Sequence, residues 1–136
     1  MHFTKDPLLA GLSYLCPYPD LDLHPMKKAA SLLPRFTDFS NLSRKDKRSI
    51  TGSCRVTKSK WTVNDETGQW VYHISADRFL WGMVRRIVGL MVMIGHGRIS
   101  MSEFESNMKS SKPFRVNYKV PAEGLYLVEV KYPFIR

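Results

Sequence analysis

The chain has 136 residues, 43% of them hydrophobic and 24% charged. That length supports one core and not two, and the apolar fraction excludes a disordered chain. The 21 Lys and Arg against 12 Asp and Glu leave a net charge of +9, which points to an anionic partner such as nucleic acid or a membrane surface.

Cys16 and Cys54 stand far apart and form no CxxC or Cys/His ligand pattern, so reduced thiols and no metal site are expected. The opening MHFTKDPLLAGL has no basic region leading into a sustained apolar stretch, so no secretory signal is read there. The most apolar segment, 79–94, is interrupted by Arg85 and Arg86 and is short for a membrane span. A soluble, cytoplasmic protein without membrane contact is expected.

In chain order, residues up to about Asp22 contain Pro7, Pro17 and Pro19 and show no helical period. They read as a lead-in, and so abrupt an apolar-aromatic start suggests truncation. From His24 to Leu33 the residues Met26, Ala29, Ala30 and Leu33 recur at helical spacing, with Pro25 suited to the first turn and Pro34 forbidding continuation. A polar loop, FTDFSNLSRKDKRSITG, follows with Arg44, Lys45, Lys47 and Arg48. It is either a solvated loop or an RNA phosphate contact.

Residues 54–63 and 69–76 are rich in β-branched and aromatic side chains, and NDETG between them signals a turn. This predicts a β-hairpin with Trp70, Tyr72 and Ile74 on the core side, and His73 facing out as a plain strand residue. Asp77 is a candidate cap for a central helix from about Phe79, stopped after Ile94 by Gly95 and Gly97. Ser100 and Glu103 have capping-box spacing before a second helix carrying Met101, Phe104 and Met108. A last strand begins at Leu125, with Tyr126, Val128, Val130 and Tyr132 on one face. The order predicts an α+β fold, a mainly antiparallel sheet with helices packed on one face.

The informative stretch is ADRFLWGMVRRIVGLMVMIGHGRI, where two adjacent arginines interrupt a helix that is apolar almost all round. At 100° per residue Gly89 falls between Arg85 and Arg86, and Gly82 lies close to the same direction. Interior glycines cost about 1 kcal/mol each relative to alanine, so something approaches this face closely, a strand or RNA. A buried arginine calls for a carboxylate that it can hold ionised and oriented. Spacing alone leaves open whether that pair lies within the domain. The acidic residues show no pair obliged to share acid–base work, and no phosphate loop, GxSxG or HExxH occurs.

FLWGMVRRIVGLMVMIGHGRIS followed by VPAEGLYLVEVKYP closely resembles the C-terminal domain of the tRNA pseudouridine synthase A family. Upstream, MKKAASLLPRFTDFSNL resembles that family's helix and DFS loop. The resemblance implies a ferredoxin-like α/β plait over residues 23–136, with 1–22 leading in from a missing N-terminal half. It implies isomerisation of uridine to pseudouridine in the tRNA anticodon arm with no cofactor, by a protein that is a homodimer at full length. The family's essential aspartate sits in a TDxGVHA-like motif, and its base-stacking tyrosine is also upstream. No such aspartate motif occurs in this chain.

By the resemblance, Arg85 in MVR is the arginine that pairs with the catalytic carboxylate of the N-terminal half. Leu125 in GLYL is the aliphatic residue of the uridine pocket. Arg86 stands where the family varies and is read as a tRNA phosphate contact or a solvated residue, Arg78 and Lys45 are further candidate RNA contacts, and Phe79 and Met83 are expected to shape the wall behind Arg85. Leu42 stands where many relatives have phenylalanine, and Thr37 where histidine or asparagine is frequent. The chain alone is then expected to fold and to catalyse nothing. Two other readings are a stand-alone RNA-binding module, favoured by the charge, and a membrane-surface helix at 79–94, disfavoured because it is apolar on nearly every side.

Overall fold

A computed structural model describes residues 16, 18, 20–43, 52–66, 68–80, 82–116 and 118–120. The first element is helix α1, Leu23–Leu32. Asp22, in extended backbone, caps it by accepting from the His24 N–H at 3.1 Å. Pro25 sits in the first turn, where its missing N–H costs nothing. The chain then tightens into a 3₁₀ turn at Leu33–Arg35 that contains Pro34. Met26, Ala29, Ala30 and Leu33 are buried, as their spacing predicts.

Residues 36–43 are more ordered than a solvated loop. Asp38 bridges Ser53, the Phe39 N–H donates to the Gly52 carbonyl, and the Cys54 N–H donates to the Thr37 carbonyl, both at 2.9 Å. A 3₁₀ turn at Ser40–Leu42 follows, and Phe39 and Leu42 are buried in the core. The cations Arg44, Lys45, Lys47 and Arg48 lie outside the described residues.

Strands β1, Val56–Val63, and β2, Trp70–Ala76, form an antiparallel hairpin in which Trp61 faces Tyr72 and Lys60 faces His73. The turn is closed by Asn64 N–H to the Gln69 carbonyl at 2.8 Å. Trp70, Tyr72 and Ile74 pack against the core while Val71 and Ser75 are exposed, so the predicted alternation holds.

The central helix α2 spans Met83–Gly95, and here the expectation of a start near Phe79 capped by Asp77 is corrected. The Asp77 carboxylate accepts from the Arg55 N–H at 2.8 Å, and its own N–H donates to the Arg55 carbonyl at 3.0 Å. Asp77 thus extends the hairpin's pairing and is engaged before any helix begins. Gly82, left-handed at φ 71°, takes the cap position. Helix α3, Met101–Ser110, is capped as predicted, Ser100 Oγ accepting from the Glu103 N–H at 3.1 Å. The Glu103 side chain does not complete a reciprocal box; it pairs with Arg115 at 3.4 Å. The final strand predicted from Leu125 lies outside the described residues.

Met26 of α1, Ile87 and Met91 of α2, and Phe104 of α3 meet in one core, fully or almost fully buried. Trp61 of β1 joins them and donates its indole N–H to Met91 Sδ at 3.2 Å. The result is an α+β fold, in which the described residues form a two-stranded antiparallel sheet with three α-helices. The apolar circumference of α2 is explained by burial, as expected. Among the described residues, no helix is long and apolar enough to cross a membrane.

The DFS loop is bolted to the end of α3. Asp38 accepts from the Ser111 hydroxyl at 2.7 Å and from the Ser40 N–H at 2.9 Å, and these bonds hold its carboxyl below the usual carboxylate range. Such a group contributes stability that is complete above its unfolded pKa of about 3.9 and is lost as pH falls through the folded value. Ser111 closes α3 at φ 55°, and alanine there carries the same backbone strain without the hydroxyl. Ser111→Ala should therefore cost about 1 kcal/mol at pH 7, below the usual worth of a bond to a charge because the site is partly solvated. Urea unfolding of both proteins at pH 7 and pH 3 checks this: the difference should shrink in acid, and an equal difference at both would refute the Asp38 link.

Candidate active site

The late start of α2 changes the electrostatics of the arginine pair. With Gly82 as cap, Arg85 and Arg86 stand in and just beyond the first turn, and that turn carries no acidic residue. A helix N-terminus holds roughly half a positive elementary charge, so cations there are opposed by about 0.3–1 kcal/mol each at exposed sites. Two arginines at this end concentrate positive potential where an anion is stabilised.

The glycine face is explained by the chain itself. A Cβ on Gly89 would collide with the Tyr118 carbonyl oxygen and would lie 2.6 Å from the Tyr118 carbonyl carbon. The backbone at 118–120 therefore lies directly on the helix, and the sequence expectation of a close approach is met by this segment. Two hydrogen bonds hold it there: Arg85 Nε donates to the Val120 carbonyl at 2.8 Å, and the Val120 N–H donates back to the Arg85 carbonyl at 3.3 Å. Half-buried and fixed through Nε, Arg85 is limited in where its terminal nitrogens can point. Among the described residues no carboxylate forms an ion pair with it.

Arg86 turns the other way. Its Nη1 lies against Gly82, whose lack of a side chain makes room for it, and that nitrogen is buried without a hydrogen-bond partner. It lines a cavity of about 50 Å³ with Asn41, Leu42, Leu90, Phe114 and Tyr118. Asn41 Oδ1, on the same cavity, is also buried and unpartnered. The Asn41 amide nitrogen meanwhile donates to the Lys112 carbonyl at 3.0 Å, fixing the DFS loop near α3.

The other sequence-derived residues fall at different places. Arg78 is exposed, and its carbonyl accepts from Cys54 Sγ at 2.9 Å. Burial and the nearby Asp77 charge push the Cys54 thiol up to about 11, so it is no nucleophile. Of the pair expected behind Arg85, Met83 is fully buried while Phe79 is 42% exposed. His73 Nε2 meets Thr62 Oγ1 at 3.0 Å on the hairpin. Lys45 and Leu125 lie outside the described residues. Among the described residues, no group of three His, Cys, Asp or Glu is placed to hold a metal ion. Val120 and Asn41 were not singled out by sequence, and only the Gly89 signal pointed toward the first of them.

A family profile described as tRNA pseudouridine synthase matches residues 36–133, a stretch that contains both Arg85 and Leu125. The chain belongs to this family. Among curated relatives, the tRNA pseudouridine synthase A of Porphyromonas gingivalis is 43% identical over 129 residues, covering 95% of this chain and 51% of the relative. Those of Bacteroides fragilis and Parabacteroides distasonis are each 35% identical, covering 83% and 95% of this chain and 44% and 50% of the relatives. The chain thus spans about half the length of the curated pseudouridine synthases it matches.

Gly89→Ala tests the contact that positions Arg85. A methyl group forced into backbone that cannot swing aside costs about 3 kcal/mol or more, the upper end of overpacking penalties, which outweighs the roughly 1 kcal/mol that alanine gains in a helix. Net destabilisation of about 2 kcal/mol is expected in denaturant unfolding. A Gly89→Ala protein as stable as the parent would mean that segment 118–120 does not rest on the helix.

Proposed function

We propose that this chain is the C-terminal half of an A-type tRNA pseudouridine synthase, converting uridine to pseudouridine in the tRNA anticodon arm together with an N-terminal half that carries the catalytic aspartate. The observation that carries this reading is Arg85, strapped by Nε to the Val120 carbonyl at 2.8 Å with no described carboxylate paired to it. Guanidinium has five donors in a fixed fork, so its terminal nitrogens remain for a carboxylate brought by the other half. A bidentate pair would keep that aspartate ionised and aimed at the uridine. The positive end of α2 favours the same charge state.

In this arrangement residues 23–136 form the domain and 1–22 lead in from the other half. Leu125 packs in the uridine pocket. Arg78, Arg86 and Lys45 contact the RNA, Arg86 through the part of its guanidinium not turned into the cavity. The complete enzyme works in the cytoplasm as a homodimer without a cofactor, and the chain alone is inactive.

Fusing the N-terminal half of the Porphyromonas gingivalis relative to this chain provides the assay, with pseudouridine counted in tRNA transcripts. Losing one partner of a buried pair typically costs about 3–5 kcal/mol, so Arg85→Ala should lower kcat roughly 10²- to 10⁴-fold while KM changes little. Arg85→Lys should recover only part, because a lone ammonium cannot form the fork. Normal turnover by Arg85→Ala would overturn the assignment. Salt-sensitive tRNA binding by the chain alone, with an inactive fusion, would favour a plain RNA-binding module.

A further inference from the structure

We propose that the outward face of the β1–β2 hairpin is a docking surface for the tRNA phosphate backbone, with Lys58 and Lys60 as its cationic contacts. The proposal rests on the tRNA-modifying role argued above and names a surface that the arginine site does not include.

The strand register defines this face. Lys58 is paired with Ser75, Lys60 with His73, and Thr62 with Val71, and paired residues of an antiparallel ladder project to the same side. The opposite side, with Trp61, Tyr72 and Ile74, is turned to the core. Lys58, Lys60, Val71 and Ser75 are exposed, so no described element covers the outer side.

Its charge is segregated. Six side chains on this face include two lysines and no carboxylate, whereas solvated surfaces normally intersperse both signs. Asp65 and Glu66 are in the turn beyond one end of the strands, and at the other end the Asp77 carboxylate is engaged by the Arg55 N–H. Among the described residues neither lysine forms an ion pair. The lysines stand two residues apart, about 7 Å along the strand at the usual rise.

Between them the chemistry is polar and neutral. Partial burial, followed by the charges of Lys58 and Lys60, holds His73 below the ordinary histidine range, so it is uncharged at neutral pH. Bonded to Thr62 at 3.0 Å, it offers hydrogen-bonding capacity suited to sugar and phosphate oxygens. Fixed cations with neutral hydrogen-bonding neighbours match a polyanion better than an acidic protein patch, whose carboxylates would favour arginine forks. In chain order the hairpin immediately precedes α2, the helix that carries Arg85.

The test measures tRNA-transcript binding by this chain across a potassium chloride series. Lys58→Ala with Lys60→Ala should make the log K against log salt slope shallower by about 1.5, near 0.7–0.9 for each phosphate that is no longer neutralised, and weaken binding about tenfold at moderate salt. The control pair Lys27→Ala with Lys28→Ala removes equal charge from exposed positions of α1 and should shift the slope by less than half as much. Equal unfolding midpoints for both doubles show that each has folded. An unchanged slope for the hairpin double, or equal shifts for both doubles, overturns the proposal, as does a polyglutamate competitor that displaces tRNA as well as tRNA displaces itself. In the fusion assay, a parent that modifies tRNA while the hairpin double keeps its KM defeats the surface alone. A parent that does not modify tRNA defeats the enzyme reading on which it rests.

Discussion

Backbone lying on a helix is the constraint around which this molecule is arranged. The segment 118–120 can touch α2 only because residue 89 has no side chain, and that contact brings Val120 within reach of Arg85 twice, through the main chain and through Nε. The helix is otherwise occupied by Met83, Ile87, Leu90 and Met91 in the core. One face is thus committed to packing, and the remaining strip holds a cation at a defined height above the backbone. A flexible arginine becomes a directed one at the cost of a glycine in the helix interior.

The hairpin and the loops serve that helix from either side. Trp61 reaches across to Met91, so the sheet is held to α2 by a polar contact within apolar packing. On the far side the DFS loop brings Asn41 to the cavity that Arg86 also lines. The two arginines, adjacent in sequence, therefore have different surroundings: one tied to the backbone at Val120, the other lining a small cavity. Adjacent residues on a helix point 100° apart, which is enough to give neighbours separate duties.

Much of this was legible in the residues. The α1 period, the hairpin's alternation, the Ser100 cap and the close approach at Gly89 are local or periodic signals, and the structure has them where the patterns place them, whereas Gly82, expected inside the helix on the arginine face, is its left-handed cap instead. What was not legible is nonlocal. Asp77 reads as a helix cap, but Arg55, 22 positions earlier, engages both its carboxylate and its amide, and a tertiary pairing overrides a local propensity. Phe39 sits among polar residues and looks like part of a loop, yet bridging between Asp38 and Ser53 folds it inward until it is fully buried. Val120 carries no sequence signal of its own; its role exists only through the gap that Gly89 leaves. The identity of the family came from motif resemblance, since no spacing within this chain distinguishes an arginine that awaits a carboxylate from one that already has it.

The double link between Arg85 and Val120 also bears on how such a chain can be rearranged through evolution or engineering. An exchange of sequence between α2 and Val120 would separate the helix from the backbone that orients its arginine, and the residue at 89 would meet an unfamiliar backbone. The turn at 64–69, closed by its own hydrogen bonds and exposed at Asn64, Asp65 and Glu66, is the natural place to insert or exchange sequence.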